Sequence, residues 1–297
     1  MPLKSKKINE LDTKSKKINS DSNIFKIYSE VEKFTTKWES YFNVYDKIFE
    51  SYKGKKITFV EVGVSTGGSL QMWRKYFGEN ARIIGVELNP EAKKLEDDGF
   101  EIFIGNQSDP GFWKTFYEAV GNIDILLDDG GHKNIQQIST VHNSLPFINN
   151  NGLIVVEDTH ASYLSEFKNP SYFSFINYCN KIIESIHRRC TALNKKTNIY
   201  SDKIFSVNFY ESITVFNIDE ERCFSSSPLM NKDDWGAATE QRDNEYFNKT
   251  KKYIEENLSF FEKFKILKKI KRKLLYKNSM FNLFEKFKIY KIYKELD

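Results

Sequence analysis

Two short acidic segments hold the residues of this 297-residue chain that are best suited to chemistry. One reads LLDDGGH over residues 126–132, and the other reads VVEDTH over residues 155–160. Each begins with apolar residues, so both acidic pairs are expected just after buried strands. The four acids concerned are Asp128, Asp129, Glu157 and Asp158. Adjacent strands of a parallel sheet lie about 5 Å apart. Carboxylates crowded at that distance repel unless protonated or neutralised, and their hard oxygen atoms suit Mg²⁺, Ca²⁺ or Mn²⁺.

A histidine follows each acidic pair. His132 comes three residues after Asp129, and His160 comes two residues after Asp158. Two imidazoles beside a divalent site are candidates for a general base or for substrate contacts, and they leave Fe²⁺ or Zn²⁺ open as the metal. The alternative is that the acids cap the following helices, or that Asp128 points back into the sheet.

A glycine-rich turn indicates a nucleotide-type ligand. The segment FVEVGVSTGGSL (residues 59–70) predicts a buried strand that turns tightly into a helix, where backbone N–H groups approach a ligand closely. Glu87 ends the next predicted strand, at the position where a carboxylate accepts hydrogen bonds from ribose hydroxyls. Asn106, or the following residues 107–109, ends the third strand and suits contact with an adenine edge. Together these residues indicate a ligand that contains adenosine, but they do not distinguish NAD from S-adenosylmethionine (SAM).

Alternating strand and helix patterns must position these residues. Five β-α units within about 100 residues predict a Rossmann-like, doubly wound α/β fold with a mostly parallel sheet. Two later strands, 203–210 and 212–216, predict an antiparallel hairpin at the sheet edge. The predicted β-α strands are 57–62, 82–88, 101–104, 123–127 and 152–156, and the predicted helices are 68–77, 90–97, 110–120 and 134–147.

Additional segments surround this α/β body. Residues 1–22 are expected to be a disordered basic N-terminus. The domain itself is predicted over residues 23–240, with helices over 23–51 and a helical lid insertion near 161–200. A second helix is expected around residues 41–52, and residues 36–38 and Tyr41 interrupt the pattern with groups that could line a pocket. Residues 241–297 are predicted to form a basic helical C-terminal extension.

The distribution of charge limits the classes of partner. The formal net charge of +4 divides into +4 in residues 1–20, +8 in residues 250–297 and −8 between them. An acidic body argues against a nucleic-acid groove across the core. The basic tail either packs on the body or on a second subunit of a homo-oligomer, or it makes peripheral contact with anionic lipid. Because no signal peptide or long apolar run is visible, a cytoplasmic protein is predicted. The heavy use of Lys, Asn and Ile indicates a bacterial source.

The ordered set of motifs resembles class I SAM-dependent methyltransferases. The motifs are ExGxxxGGS, GVE, GNQSD, DDGGH and EDTH, in that order. The nearest subgroup is the metal-dependent sugar O-methyltransferases of macrolide tailoring, whose relatives include cephalosporin-hydroxylase-like proteins. The resemblance runs from about residue 36 to residue 216.

The resemblance implies a role for particular residues. It implies SAM as methyl donor and Mg²⁺ or another divalent cation bound by Asp129, Glu157 and Asp158. The SAM-binding residues that it implies are Thr36, Tyr41, Glu61, Gly63, Ser65, Gly67, Ser69, Glu87, Asn106, Gln107 and Asp128. The acceptor would be a hydroxyl on a sugar, in a capsule, lipopolysaccharide or nucleotide-sugar precursor or on a glycosylated metabolite.

The catalytic base follows from a departure from the family pattern. A family position that commonly carries histidine is Asn208 here, and an amide does not accept a proton usefully at neutral pH. Either His132, the first choice, or His160 is therefore expected to serve as the base, unless the mechanism needs little base or the activity is altered. Asp129 is expected to be the cation ligand at the reacting centre.

Two other functions are open at this stage. The first is an NAD-linked sugar oxidoreductase or epimerase. It would leave the acidic strand ends without a role, and no YxxxK pair follows the fifth strand within the predicted domain. The second is a non-catalytic, methyltransferase-like binding module, which the change at Asn208 keeps open.

Overall fold

The structure, a computed structural model, describes residues 6–167 and 172–231 and five isolated residues near the C-terminus. The chain divides into two compact units, Met1–Ser227 and Pro228–Asp297. The elements described below all belong to the first unit. The predicted extension over 241–297 lies outside the described residues, apart from five helical positions at Lys252, Ile289, Tyr290, Ile292 and Tyr293.

Seven strands of the described part form one sheet in the order β3-β2-β1-β4-β5-β7-β6. The pairs from β3 through β5 are parallel, and β7 runs antiparallel to both β5 and β6. This arrangement confirms the predicted Rossmann-like sheet with an antiparallel edge hairpin. The strands are β1 (Thr58–Val62), β2 (Arg82–Glu87), β3 (Glu101–Ile104), β4 (Ile123–Asp128), β5 (Ile148–Val156), β6 (Ile204–Tyr210) and β7 (Ile213–Ile218).

Helices cover both faces of the sheet. Successive residues of β1 point to opposite faces, so Phe59 packs with Phe49 and Trp73 on one side, while Val60 packs with Trp113 on the other. The predicted helix after β2 is a 3₁₀ helix, Pro90–Asp98. The α-helices are α1 (Thr13–Asn19), α2 (Asn23–Ser29), α3 (Tyr41–Phe49), α4 (Gly68–Phe77), α5 (Pro110–Val120), α6 (Asn134–Ser144), α7 (Phe175–Ile186) and α8 (Ile199–Lys203). None of the helices within the described residues is long and apolar enough to cross a membrane.

The N-terminal region differs from its prediction in two ways. Residues 13–19, expected to be disordered, form α1, whose N-terminus is capped by Asp12 through Ser15 N–H at 2.8 Å. The interruption between the helices predicted over residues 23–51 is longer than expected, because residues 30–40 are not helical. β-Branched residues favour extended backbone, and this interruption contains two threonines followed by side chains that turn toward the sheet. The interruption therefore delivers residues 36–38 to the carboxyl ends of the strands.

The predicted lid contains a core helix. In α7 the side chains of Phe175, Cys179 and Ile182 are buried in the apolar layer that also holds Trp113 of α5. Ser174 caps this helix by accepting a hydrogen bond from the backbone N–H of Asn177. Because one face of α7 covers the sheet, this part of the insertion is a layer of the fold rather than a lid.

Candidate active site

The carboxyl ends of β1, β4 and β5 form one edge, as predicted. Asp128, the last residue of β4, pairs with Val62 of β1 and Val156 of β5. The backbone N–H of Glu157 donates to Asp128 O at 2.9 Å, so the chain leaves both strands side by side. The acids do not act as helix caps: Lys133 occupies the N-cap of α6, and Asp158, at an N-cap position, makes no capping bond with its side chain.

Three predicted side chains converge at this edge. One ligand atom each of Asp129, His132 and Asp158 lies within 4.8 Å of the others. His132 Nε2 is 3.2 Å from Asp158 Oδ2. Both His132 and Asp158 have left-handed backbone conformations, with φ of 55° and 52°. Such conformations are costly for non-glycine residues and are concentrated at functional sites.

A lysine that the sequence interpretation did not assign lies at the centre of the site. Lys37 Nζ is 2.6 Å from Asp129 Oδ2, 2.9 Å from Glu157 Oε2 and 3.7 Å from Glu61 Oε1. Its side chain is only 1% exposed. Burial alone would lower the pKa of Lys37, but the three neighbouring carboxylates outweigh burial and hold that pKa well above its ordinary value. Lys37 is therefore a buried cation in the candidate site.

Two tyrosines and a tryptophan orient the acids. Tyr41 and Tyr45 lie one turn apart on α3, which brings both hydroxyls to the strand ends. Tyr41 donates to Asp158 Oδ1 at 2.6 Å, and Tyr45 donates a short hydrogen bond to Glu157 Oε1. The Trp38 indole donates to Asp158 Oδ1 at 2.9 Å. Tyr41 and the segment around Trp38 could be anticipated from sequence, whereas Tyr45 resembled any core position.

Burial changes the ionisation of the carboxylates. Burial raises the pKa of Glu157 well above its ordinary value, and the charge of Asp129 raises it further. Burial likewise raises the pKa of Glu61. A cation that enters the site stabilises the ionised form of such a carboxylate and thereby lowers its raised pKa.

The glycine loop between β1 and α4 is built for close backbone approach. A Cβ on Gly63, whose φ is 86°, would lie 2.3 Å from Asp129 O, and a Cβ on Gly68 would lie 2.4 Å from Phe34 O. Ser69 donates to Glu61 Oε2 at 2.7 Å. The loop is thus fixed directly beside the strand ends that carry the acids.

Glu87 orders the same loop from the neighbouring strand. Its carboxylate accepts the Ser65 N–H at 2.9 Å and the Leu88 N–H at 2.8 Å. Leu88 is 65% exposed, which leaves an apolar surface beside this carboxylate. The predicted cofactor position Gly67 caps α4 with a φ of 85°.

Two predicted cofactor contacts face inward. Gln107 donates to Asp128 Oδ1 at 3.0 Å and to Thr140 Oγ1 at 3.1 Å, and it accepts the Gly131 N–H. Both Gln107 and Asp128 are buried. They hold the turn after β4, and their contact with a cofactor stays a prediction. Asn106 is exposed and accepts the N–H of Ser108.

Of the remaining candidates, His160 lies near this edge and Asn208 lies away from it. The His160 ring packs edge-on to Trp38 with centroids 5.3 Å apart, and its Nδ1 is 3.9 Å from Asp158 Oδ1. Asn208 lies on the outermost strand, β6, where its side chain accepts a hydrogen bond from Asn217 at 2.7 Å.

A cavity of about 530 Å³ adjoins the acids. Aromatic side chains of α2 and α3 form one wall, and Lys37, Asp129 and Asp158 lie at the other. Part of the N-terminal segment, including Ile8 and Leu11, also lines the cavity. The cavity is large enough for one sugar-sized group beside the carboxylates.

A sequence model of the FtsJ-like methyltransferase family matches residues 37–225, well over half of the chain. The chain belongs to this family. Among characterised relatives, 8-demethyl-8-alpha-L-rhamnosyl tetracenomycin-C 2'-O-methyltransferase of Streptomyces olivaceus is 28% identical over 163 residues, which are 51% of this chain and 43% of the relative. Demethylmacrocin O-methyltransferase of Streptomyces fradiae is 29% identical over 46% of this chain and 37% of its own length. The chain thus matches less than half the length of these relatives.

A solved structure has the same fold as this chain. The MycE methyltransferase of the mycinamycin pathway, in complex with Mg and SAH, superimposes with a TM-score of 0.62 at 21% identity. The match covers 73% of this chain and 60% of MycE.

The site of this FtsJ-like protein fits both a divalent cation and SAM by its own chemistry. Three carboxylates, those of Glu61, Asp129 and Glu157, surround Lys37. A fourth, Asp158, lies beside His132, so the described site has excess negative charge when these acids are ionised. Hard carboxylate oxygens are the ligands that Mg²⁺ prefers. Glu61 Oε1 is buried and has no hydrogen-bond partner among the described residues, which fits an amino group such as that of SAM.

Proposed function

We propose that this protein is a SAM-dependent, divalent-cation-assisted O-methyltransferase that acts on a sugar hydroxyl. The observation that carries the proposal is the convergence of Asp129, His132 and Asp158 between the glycine loop and the aromatic cavity. The relatives described above support it, since both names denote O-methyltransferases and the first names a rhamnosyl tetracenomycin as the substrate.

The two ligands would use different sides of this edge. Glu61, Gly63, Ser65 and Ser69 would hold SAM in the loop after β1, with Glu87 on the ribose hydroxyls. Asp129, Asp158 and Glu157 would hold the cation. When bound, a divalent cation lowers the pKa of a hydroxyl that it contacts, and SAM supplies the methyl group.

The acceptor would enter the aromatic cavity. Tyr28, Phe42 and Trp38 give it apolar ring surfaces, and Asp129 and His132 give it polar groups at one end. Sugars present both apolar C–H faces and hydroxyl groups, so a cavity of this composition suits them. The hydroxyl that reaches His132 determines which sugar oxygen is methylated.

His132 would remove the proton from the acceptor hydroxyl. Its Nε2 faces Asp158, and a carboxylate accepts but does not donate, so this contact favours the proton on Nε2. Nδ1 is then the nitrogen with a free electron pair, and it is the atom that would accept the proton. Trp38 and Tyr41 hold Asp158 in place and thereby fix the imidazole.

Methyl transfer from labelled SAM tests this proposal. The full chain is incubated with Mg²⁺ and a panel of nucleotide sugars, glycosylated polyketides and capsule or lipopolysaccharide precursors, and methylated products are identified by mass spectrometry. Label is expected on a sugar oxygen. Asp129→Asn is expected to abolish transfer, whereas Asp97→Asn, an exposed acid on the 3₁₀ helix after β2, should retain it. SAM binding with no transfer to any glycan would favour the non-catalytic binding module instead.

Peripheral membrane contact through the basic residues 251–294 is a separate part of the proposal. Co-sedimentation of the full chain and of a chain ending at residue 240 with anionic vesicles tests it. Equal vesicle binding by both chains would show that residues 251–294 do not mediate membrane contact.

A further inference from the structure

The ammonium of Lys37 occupies carboxylate oxygens that a divalent cation would need. Asp129 Oδ2 and Glu157 Oε2, its neighbours at 2.6 and 2.9 Å, belong to two of the three acids assigned above to the cation. The third acid, Asp158, is instead held by Tyr41, Trp38 and the His132 contact. The structure therefore divides the acids into a pair that binds lysine and one, Asp158, that is held by Tyr41, Trp38 and His132.

The Lys37 ammonium and a divalent cation would repel each other if both bound the same pair of oxygens. A Mg²⁺ ion lies about 2.0–2.1 Å from its oxygen ligands. The Lys37 ammonium lies only slightly further, at 2.6 and 2.9 Å, from the Asp129 and Glu157 oxygens that the ion would use. Both cations on Asp129 Oδ2 and Glu157 Oε2 would be close neighbours within a site from which water is largely excluded, where like charges repel strongly. Glu157 offers no easy alternative oxygen, because Tyr45 donates to its Oε1.

We infer that Lys37 is a tethered counter-cation that neutralises the Asp129–Glu157 pair and must leave Glu157 before a divalent cation is ligated there. Lys37 thereby competes with the metal and sets its affinity. This inference rests on the proposed use of a divalent cation at this site.

The surroundings permit such a displacement by side-chain rotation. Lys37 lies in the non-helical segment 30–40 and lines the 530 Å³ cavity, so its long side chain has adjoining space. The backbone on either side is held in place, since Thr66 donates to Phe34 O at 2.7 Å and the Trp38 indole donates to Asp158. Lysine has a flexible stem that suits this exchange.

The direction in which Lys37→Met changes Mn²⁺ affinity distinguishes competition from a purely structural role. If Lys37 competes, Lys37→Met removes the resident cation and Mn²⁺ binds more tightly. If Lys37 only holds the acids in position, its loss disorders the ligands and Mn²⁺ binds more weakly. Binding is measured by calorimetry and by the Mn²⁺ paramagnetic resonance signal, without SAM. Lys56→Met is the matched control at an exposed position.

We expect Lys37→Met to bind Mn²⁺ at least about tenfold more tightly than the wild type, a difference of about 1.4 kcal/mol. Its melting temperature should fall without metal and recover more than the wild type on adding Mn²⁺. Equal or weaker binding would overturn the inference and leave the proposed function intact. Absence of Mn²⁺ binding by both proteins would overturn the proposed cation and the inference together.

A second measurement uses the wild-type chain and does not depend on the folding of a variant. Lysines are acetylated briefly with acetic anhydride and quantified by peptide mass spectrometry. Lys37 should be protected in metal-free protein and should react faster when Mn²⁺ is present, while Lys56 reacts equally in both states. An unchanged or slower reaction at Lys37 would contradict its displacement.

Discussion

Tyr45→Phe tests how the buried carboxylate Glu157 is held. The substitution removes only the hydroxyl that donates to Glu157 Oε1, because the ring keeps its stack on Phe49, at 5.9 Å between centroids, and its edge contact with Trp73 at 5.2 Å. A hydrogen bond to a charged group contributes about 1.5–3 kcal/mol to the free energy of unfolding. For a chain of this size that loss lowers the melting temperature by roughly 3–12 °C.

The loss should depend on pH, with a sign set by the raised pKa of Glu157. Burial, reinforced by Asp129, places the folded pKa above the unfolded one. Folding therefore favours the neutral form of Glu157. The resulting contribution to the free energy of unfolding is fully present below the unfolded pKa and is lost as the pH rises through the folded pKa. The Tyr45 hydroxyl matters most when Glu157 is ionised. The destabilisation by Tyr45→Phe is thus expected to be larger at about pH 9 than at about pH 5.

Denaturant unfolding in EDTA at both pH values measures the effect. Tyr28→Phe is the matched control, because Tyr28 donates at 3.2 Å to the uncharged carbonyl of Thr35. That variant should lose about 0.5–1.5 kcal/mol at either pH. Equal destabilisation by Tyr45→Phe at both pH values would refute the argument that Glu157 is a buried group whose ionised form needs this hydroxyl.

Three further predictions concern the reaction and its ligands. His132→Ala should lower kcat by about 10²–10⁴-fold in stopped assays with labelled SAM, the contribution typical of a general base, and near-full turnover would exclude His132. Asp129→Asn should abolish Mn²⁺ binding in calorimetry together with methyl transfer, whereas retained binding would assign the cation to other ligands. Gly63→Ala should lose SAM binding because its Cβ would lie 2.3 Å from Asp129 O; Gly78→Ala has the same φ of 86° with no atom within 4 Å, so equal loss in both would indicate backbone strain alone.

Much of the fold was predictable because its signals are local. The boundaries of α4 and α5 agree with their predictions, since each helix has a regular apolar stripe and ends at a glycine. The break after α2 was predicted only in part: residues 36–38 interrupt the helical pattern, but the apolar residues before them continue it, and the helix ends at Ser29. The core position of α7 was also missed, since an amphipathic helix has the same pattern whether it covers a sheet or a pocket.

The sequence by itself determined which acids meet. Parallel strands that follow one another through right-handed crossovers end at one edge, so Asp129, Glu157 and Asp158 were brought together by their positions after β4 and β5. Only the tertiary structure decided what neutralises and orients them. Lys37 lies 92 residues before Asp129, and Tyr45 lies 112 residues before Glu157. Nothing in their local patterns distinguishes them from a solvated lysine and a core tyrosine. Their roles arise because burial leaves the carboxylates without water, and the nearest donors of the folded chain must replace it.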